Sequence, residues 1–212
     1  MSLLGKGALV MWHQVKPGMD AAHDDWHSSE HLSERLGLSG FLRGRRCRSV
    51  KGGDGWFILY EVDDLSLLSS PPYLERLNRP SGWSQEIIPA ITDMNRTLAR
   101  VVVSKGVGVG SVVATIRMIR EIDSQLIESV AEGKGVVGVH LLCGDRAASG
   151  IRTQEKSLRD RPDEISDWIV LIEGYDEELV KVATDRIVDA FGSGKCVRGI
   201  YGIRHLVAET DV

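Results

Sequence analysis

The strongest constraint on the fold is an order of predicted elements that the 212-residue chain contains twice. Strand and helix periodicities predict the order β-α-β-β-α-β in each half, on either side of a glycine-rich connector at residues 105–110. First-half strands are predicted at 7–15, 40–50, 56–62 and 96–104, with a helix from Met19 to Gly37. Second-half strands are predicted at 111–119, 136–144, 168–174 and 200–208, with helices at 123–133 and 177–191.

The two halves also agree residue by residue at one strand. The segment "DGWFILYEVDD" aligns with "SDWIVLIEGYD", which pairs Trp56 with Trp168 and Glu61 with Glu173. Because such matches occur in the same order along both units, we infer an internal duplication with repeats at 1–105 and 106–212.

A ferredoxin-like unit of this order leaves one apolar sheet face without helices. A soluble domain cannot leave such a face exposed, so the second unit is expected to cover the first. The predicted fold class is therefore α+β, with two ferredoxin-like βαββαβ repeats packed sheet to sheet as a pseudo-dimeric barrel within one chain. Whether the chain also forms a homo-oligomer is left open.

Charge and composition exclude several functional classes. The net charge of −4 is too mild to attract nucleic acid or a membrane surface. No apolar run approaches the ~20 residues needed to span a bilayer. The opening residues lack the features of a secretory signal, so a cytoplasmic location is expected. The three cysteines have no CxxC spacing and receive no functional role.

The segment "WHSSEHLSERLGLSGFLRGRR" resembles a motif of EthD-like and stress-responsive proteins in the dimeric α+β barrel superfamily. The matching positions are Trp26, Glu30, His31, Gly40, Phe41 and Arg45. Members of that superfamily include cofactor-free monooxygenases, haem-degrading enzymes and lactone isomerases, so the resemblance implies a fold but no particular reaction. The second half has no such motif, and any pocket is therefore expected in the first half.

The first helix carries a histidine at every fourth position. On a wheel at 100° per residue, Trp26 faces the sheet, whereas His23, His27 and His31 fall on the opposite side. This pattern predicts a solvent-exposed stripe without a functional metal. His31 keeps a separate candidacy as general base or substrate anchor because it occupies the motif position, with Trp26 as an apolar wall beside it.

The second strand is unusually basic, and its alternation places Phe41, Arg43 and Arg45 on one face. An inward arginine must pair either with Glu61 or with an anionic ligand. The alternative, slightly favoured, is an edge strand that carries arginines for solubility. Four residues on the neighbouring strands are interpreted as lining the same barrel interior. They are Trp12, His13, Trp56 and Tyr60.

The leading functional interpretation is a protein that binds or metabolises a small anionic or aromatic molecule, as a cofactor-independent oxygenase or isomerase. The proposed ligand-binding residues are Trp26, Arg43, Arg45 and Tyr60, with His31 as the catalytic candidate. Haem is rejected because the histidines are expected on the polar side of the helix. The polar segment 144–164 is interpreted as a surface insertion rather than a lid. The alternative function is a non-catalytic binding or assembly module with a filled pocket.

Overall fold

A computed structural model describes residues 3–192 and 196–212. Eight antiparallel strands form a closed barrel in the order β1-β3-β2-β8-β5-β7-β6-β4. The strands are β1 (Gly7–Val15), β2 (Phe41–Lys51), β3 (Trp56–Val62), β4 (Ile91–Gly106), β5 (Val112–Met118), β6 (Val136–Gly144), β7 (Trp168–Gly174) and β8 (Cys196–Ala208). The closed α+β architecture is therefore the one that the sequence predicts.

Helices cover the outside of the barrel. The first-half helices are α1 (Asp20–Trp26), a π-helical turn (His27–His31), α2 (Leu32–Leu36), α3 (Pro71–Leu77) and α4 (Gly82–Ile87). The second-half helices are α5 (Ser124–Ala131), α6 (Arg146–Ser149), α7 (Gln154–Ser157) and α8 (Glu177–Phe191). Short 3₁₀ turns lie at Leu65–Ser69, Ile88–Ala90 and Glu209–Asp211. None of the helices in the described part of the chain is long and apolar enough to cross a membrane.

Each half contributes four neighbouring strands in the same spatial order. The first half runs β4-β1-β3-β2 and the second runs β8-β5-β7-β6, and the halves join where β2 pairs with β8 and β4 with β6. β4 begins at Ile91, before the predicted start at residue 96, because its first residues continue the ladder with the end of β1. β8 likewise begins at Cys196, and its added residues pair with β5.

Three separate apolar clusters hold the structure together. One lies between the first-half helices and sheet, and a second lies in the equivalent place in the second half. The third fills the barrel interior with side chains from both halves, including Trp12, Phe57, Leu171 and Tyr201. Trp12 Nε1 donates a hydrogen bond across the interior to Thr115 Oγ1 at 3.0 Å. The interior is thus a packed core and not an open lumen.

A buried ionic network also joins the halves inside the barrel. Arg45, whose side chain is 1% exposed, donates hydrogen bonds to Glu61 Oε1 at 2.9 Å and to Glu173 Oε2 at 2.8 Å. Arg43 Nε donates to Glu61 Oε1 at 2.8 Å. Burial alone would raise the pKa of Glu173, but contact with His140 and the charge of Arg45 lower it to about 2. Pairing with Glu61 is thus the alternative that the structure supports.

Three expectations about these strands are wrong. β2 is not an edge strand, since β3 and β8 pair with it on either side. Phe41 does not share a face with Arg43, because a register shift between them turns Phe41 toward the first-half helices. Among the four residues assigned to the interior, Trp12 lies there, whereas His13, Trp56 and Tyr60 lie on the helix side of the sheet. Those three alternate with interior residues, so the pleat directs them outward.

Candidate functional site

The histidines of the first helix point into the protein and not toward solvent. His23 is 0% exposed, His27 is 1% exposed and His31 is 8% exposed, so the prediction of an exposed stripe is wrong. Helix α1 is covered on two sides, by the sheet and by α4, where Trp26 Nε1 donates to Ser84 Oγ at 3.2 Å. The π-helical turn then adds a residue to one turn, which shifts His31 onto the buried side.

A small, partly open cavity lies between these helices and the outer face of the first-half sheet. Its volume is about 40 Å³, enough for one to three water molecules. Apolar side chains such as Leu9, Met11 and Ile58 form the wall on the sheet side. All four histidines of this region line the cavity, namely His13, His23, His27 and His31. The site is therefore apolar in its walls and rich in imidazoles.

The hydrogen bonds of His13 and His23 indicate which ring nitrogen of His13 carries the proton. His23 Nδ1 lies 3.4 Å from Asp24 Oδ1, and His23 Nε2 lies 3.1 Å from His13 Nε2. Burial would raise the pKa of Asp24, but hydrogen bonds from His23 and Trp56 lower it to about 2, so the carboxylate is ionised and can only accept. His23 therefore carries its proton on Nδ1 and accepts from His13 Nε2. This arrangement leaves the lone pair of His13 on Nδ1.

The buried imidazoles are held in their neutral form. Burial lowers the pKa of His13, His27 and His31 well below 6.5, and neighbouring histidines and arginines lower it further. Burial also lowers the pKa of His23, although Asp24 acts in the opposite direction. At neutral pH each can therefore accept a proton or a hydrogen bond.

Several imidazole nitrogens lack a partner inside the protein. The Nδ1 atoms of His13, His27 and His31 are buried and make no hydrogen bond with any described residue. Most buried polar atoms in proteins are satisfied, so three such atoms around one cavity indicate a place for a polar ligand or water. Among the described residues, no group of three or more histidine, cysteine, aspartate or glutamate side chains is arranged so that it could hold a metal ion.

The sequence-predicted site residues are divided between two places. Trp26 and His31 line the cavity, with ring centroids 4.3 Å apart. Tyr60 stands behind the lining, where its hydroxyl lies 3.3 Å from His27 Nε2. Arg43 and Arg45 belong to the barrel interior and are not among the described residues that line the cavity.

Sequence reasoning did not place His13, His23 and His27 at this cavity. One signal was present for His13, since it continues the alternation of Leu9 and Met11 and so shares their face of β1. The segment 144–164 was also misinterpreted, because it packs over the cavity. Its residues Thr153, Glu155, Lys156 and Arg159 belong to the lining.

Comparison with known proteins identifies proteins of similar fold but assigns the chain to no family. No protein-family model matches the sequence, and no curated protein matches it. A protein provisionally named a monooxygenase from Fusobacterium nucleatum subsp. nucleatum ATCC 25586 has a TM-score of 0.61 at 12% identity, covering 97% of this chain and 96% of its own. An anthrone oxidase-like protein has a TM-score of 0.56 at 11% identity, covering 96% and 92%. A novel haem-binding protein from Thermus thermophilus has a TM-score of 0.50 at 12% identity, covering 98% and 93%.

The fold is that of the α+β barrel proteins. Identities this low show the fold alone, so the reaction must be argued from the site. The sequence-based reason for rejecting haem was wrong, because the histidines point inward. A haem group nevertheless does not fit, since the cavity of about 40 Å³ is far below the roughly 300 Å³ or more typical of cofactor pockets. No step of the chemistry is assigned to haem.

Proposed function

We propose that the protein metabolises a small aromatic molecule at the histidine-lined cavity by proton transfer, without a cofactor, as an isomerase or an oxygenase. The observation that carries this proposal is that His13, a neutral imidazole, lines the cavity, while its buried Nδ1 atom has no hydrogen-bond partner among the described residues. A positioned neutral imidazole is the usual general base at neutral pH. The fold likeness to oxygenase-like proteins is consistent with this class of chemistry.

In the proposed step, His13 Nδ1 removes a proton from an acidic C–H or O–H group of the substrate. His23 accepts the hydrogen bond from His13 Nε2 and in turn donates to Asp24, so the carboxylate stabilises the imidazolium that forms. In an isomerisation the same proton returns to a different substrate atom. In an oxygenation the substrate anion transfers electrons to dioxygen, which is then a required co-reactant.

The other predicted residues receive different roles. Trp26 and His31 form the wall against which an aromatic ring would lie, and Tyr60 orients His27. Arg43 and Arg45 serve the scaffold in this proposal and not the ligand. We further infer that the chain arose by duplication of a ferredoxin-like unit, with repeats at 1–105 and 106–212 and the EthD-like motif retained in the first.

A second candidate function is a non-catalytic binding or assembly module. The observation that favours it is the small cavity volume of about 40 Å³, because side chains occupy most of the space that a substrate would need. An aromatic substrate needs more space than this cavity provides, so side chains of the lining must move to admit it. The two candidates therefore differ in whether any small molecule reaches His13.

The test is base-catalysed deuterium exchange. The purified protein would be incubated in D₂O with a set of weakly acidic aromatic ketones and phenols, with and without dioxygen, and followed by NMR. The expected result is deuterium incorporation or oxygen consumption that falls at least about 100-fold in His13→Gln. His205→Gln, a histidine on β8 that does not line the cavity, is the matched control and should retain full activity.

Two outcomes would contradict the proposal. Exchange that survives in His13→Gln and His23→Gln would exclude the assigned base. Full absence of exchange, together with unchanged imidazole resonances for every compound, would favour the non-catalytic module instead.

A further inference from the structure

The lining of the cavity carries an excess of positive charge. Four basic side chains belong to it, namely Arg35, Arg96, Lys156 and Arg159. Glu155 is the acidic residue among the described residues of the lining. The cavity thus combines neutral imidazoles and apolar walls with a group of cations.

Three of the four cations have hydrogen-bond partners other than Glu155. Arg159 makes two hydrogen bonds of 2.8 Å to Asp163, and Arg96 Nη2 donates to Tyr73 Oη at 2.8 Å. Lys156 Nζ donates to the Ser149 carbonyl oxygen. These contacts leave Arg35 as the cation whose main partner is a cavity-lining carboxylate.

Arg35 is buried and incompletely satisfied. Its side chain is 1% exposed, and its Nη2 donates to Glu155 Oε1. Its Nη1 makes no hydrogen bond with any described residue, and Glu34 Oε2 lies 3.9 Å away. A guanidinium can donate two parallel hydrogen bonds to a single carboxylate, so Arg35 has unused capacity in the direction of a planar anion.

Glu155 is supplied by a short helix, and the flanking residues Ser149 and Glu164 anchor its segment to β4. It lies on α7, a helix of four residues, whose backbone is attached to the first half by a bond from Gln154 N to Asn78 Oδ1 of 3.0 Å. If the Glu155 carboxylate moved away from Arg35, the cavity would become larger beside Arg35.

We propose that the cavity binds an aromatic carboxylate whose anionic group replaces Glu155 at Arg35, while the ring lies toward Trp26 and His31. The proposal rests on the proposed function for the location of the site and adds the class of substrate. Glu155 then acts as an internal substitute for the ligand: its carboxylate neutralises Arg35 in the unliganded protein, and an incoming carboxylate exchanges with it.

The experiment uses benzoate and its neutral isostere benzamide as probes of the full-length protein, with affinities measured by calorimetry. Wild type should bind benzoate at least about tenfold more tightly than benzamide, because benzamide cannot pair with Arg35. Glu155→Gln should tighten benzoate binding about tenfold, because the competing charge is removed and the side-chain size is kept. The same substitution should change benzamide binding less than about twofold.

Two further variants test the assignment to Arg35. Arg35→Gln should abolish the preference for benzoate over benzamide. Glu34→Gln is the matched control, since Glu34 lies near Arg35 but is not among the described lining residues, and it should leave both affinities within about twofold of wild type.

A measurement on wild type keeps the proposal testable if Glu155→Gln does not fold. Saturating benzoate should accelerate amide hydrogen exchange at residues 153–158, because the covering helix loses its contact with Arg35. Unchanged exchange in this segment, equal binding of benzoate and benzamide, or no binding of benzoate would each overturn the proposal.

The results also separate this proposal from the proposed function. If benzoate binds as expected but deuterium exchange is unaffected in His13→Gln, the anion site stands and the assigned general base is wrong. If exchange depends on His13 but the preference for benzoate over benzamide does not depend on Arg35, the chemistry stands and the substrate class is wrong.

Discussion

The two halves of the barrel share a strand order but fill the layer between helix and sheet differently. In the first half His13 lies opposite Trp56, whereas in the second half Met118 lies opposite Trp168 at the corresponding position of the ladder. The helices differ in the same way. Helix α1 and its π turn bury His23, His27 and His31, whereas α5 buries Ile127 and Val130.

The difference between the two layers shows which buried side chains the fold needs for packing and which it does not. The second half shows that the same topology closes with aliphatic side chains at the equivalent positions. The first half instead buries neutral imidazoles with unsatisfied nitrogens, which costs stability unless a ligand pairs with them. Such a cost is common at functional sites, where groups are placed for chemistry and not for stability. Four substitutions or conditions would test this comparison.

The largest effect is expected where the two halves are joined. Arg45→Ala leaves Glu61 and Glu173 buried without their shared cation and should lower the free energy of unfolding by about 3–5 kcal/mol. Urea denaturation monitors the loss, with the half-exposed Arg48→Ala as the control. A loss below about 1 kcal/mol would mean that the network does not hold the halves together.

A comparable effect is expected in the apolar layer of the second half. Ile127 is 0% exposed, so Ile127→Ala should lower the free energy of unfolding by about 3 kcal/mol, within the range for large-to-small changes in a packed core. The affinity of the first-half cavity for benzoate should stay unchanged. Altered benzoate affinity in this variant would show that the two layers are coupled.

An intermediate effect is expected from pH. Because burial holds the pKa of His27 well below 6.5, the unfolded chain binds a proton first as pH falls, and the stability from neutral His27 is lost below pH 6.5. Lowering the pH from about 7.5 to 5.5 should therefore cost wild type about 1.4 kcal/mol more than His27→Leu. Parallel pH profiles for the two proteins in urea titrations would show that His27 is already solvated.

The smallest effect should have the opposite sign. His31→Phe keeps a ring beside Trp26 and removes a buried Nδ1 atom without a partner, so it should raise the free energy of unfolding by about 1 kcal/mol at pH 7.5. Urea denaturation would measure this gain. If the substitution destabilises the protein instead, the imidazole has a structural role, and the contrast between the halves is weaker than proposed.

Much of the scaffold was predictable from local patterns. Strands β1, β3, β6 and β7 occur at the predicted residues, and so does α8. Periodicity is a local property, and each of these elements has an apolar face or an apolar core of its own. The closed barrel followed from the need of two apolar sheet faces to cover one another.

The candidate site was less predictable because it depends on which surfaces meet. Trp26 and His31 were selected by a motif, and both line the cavity. His23 and His27 were placed on the wrong side because a helical wheel assumes a single buried face and a regular turn. Helix α1 instead packs against two elements and continues into a π turn.

By itself, the amino-acid sequence determined the order of elements, the α+β class and the asymmetry between a histidine-bearing first helix and a second-half helix without histidine. The tertiary structure alone decided that Arg45 pairs with carboxylates from both halves, that His13 joins His23 and Asp24, and that Glu155 reaches Arg35. Each of those sets of contacts joins residues on different elements, and no local periodicity predicts them. They form only when closing the barrel excludes water and each buried charge or imidazole must take the partner that the packing leaves within reach.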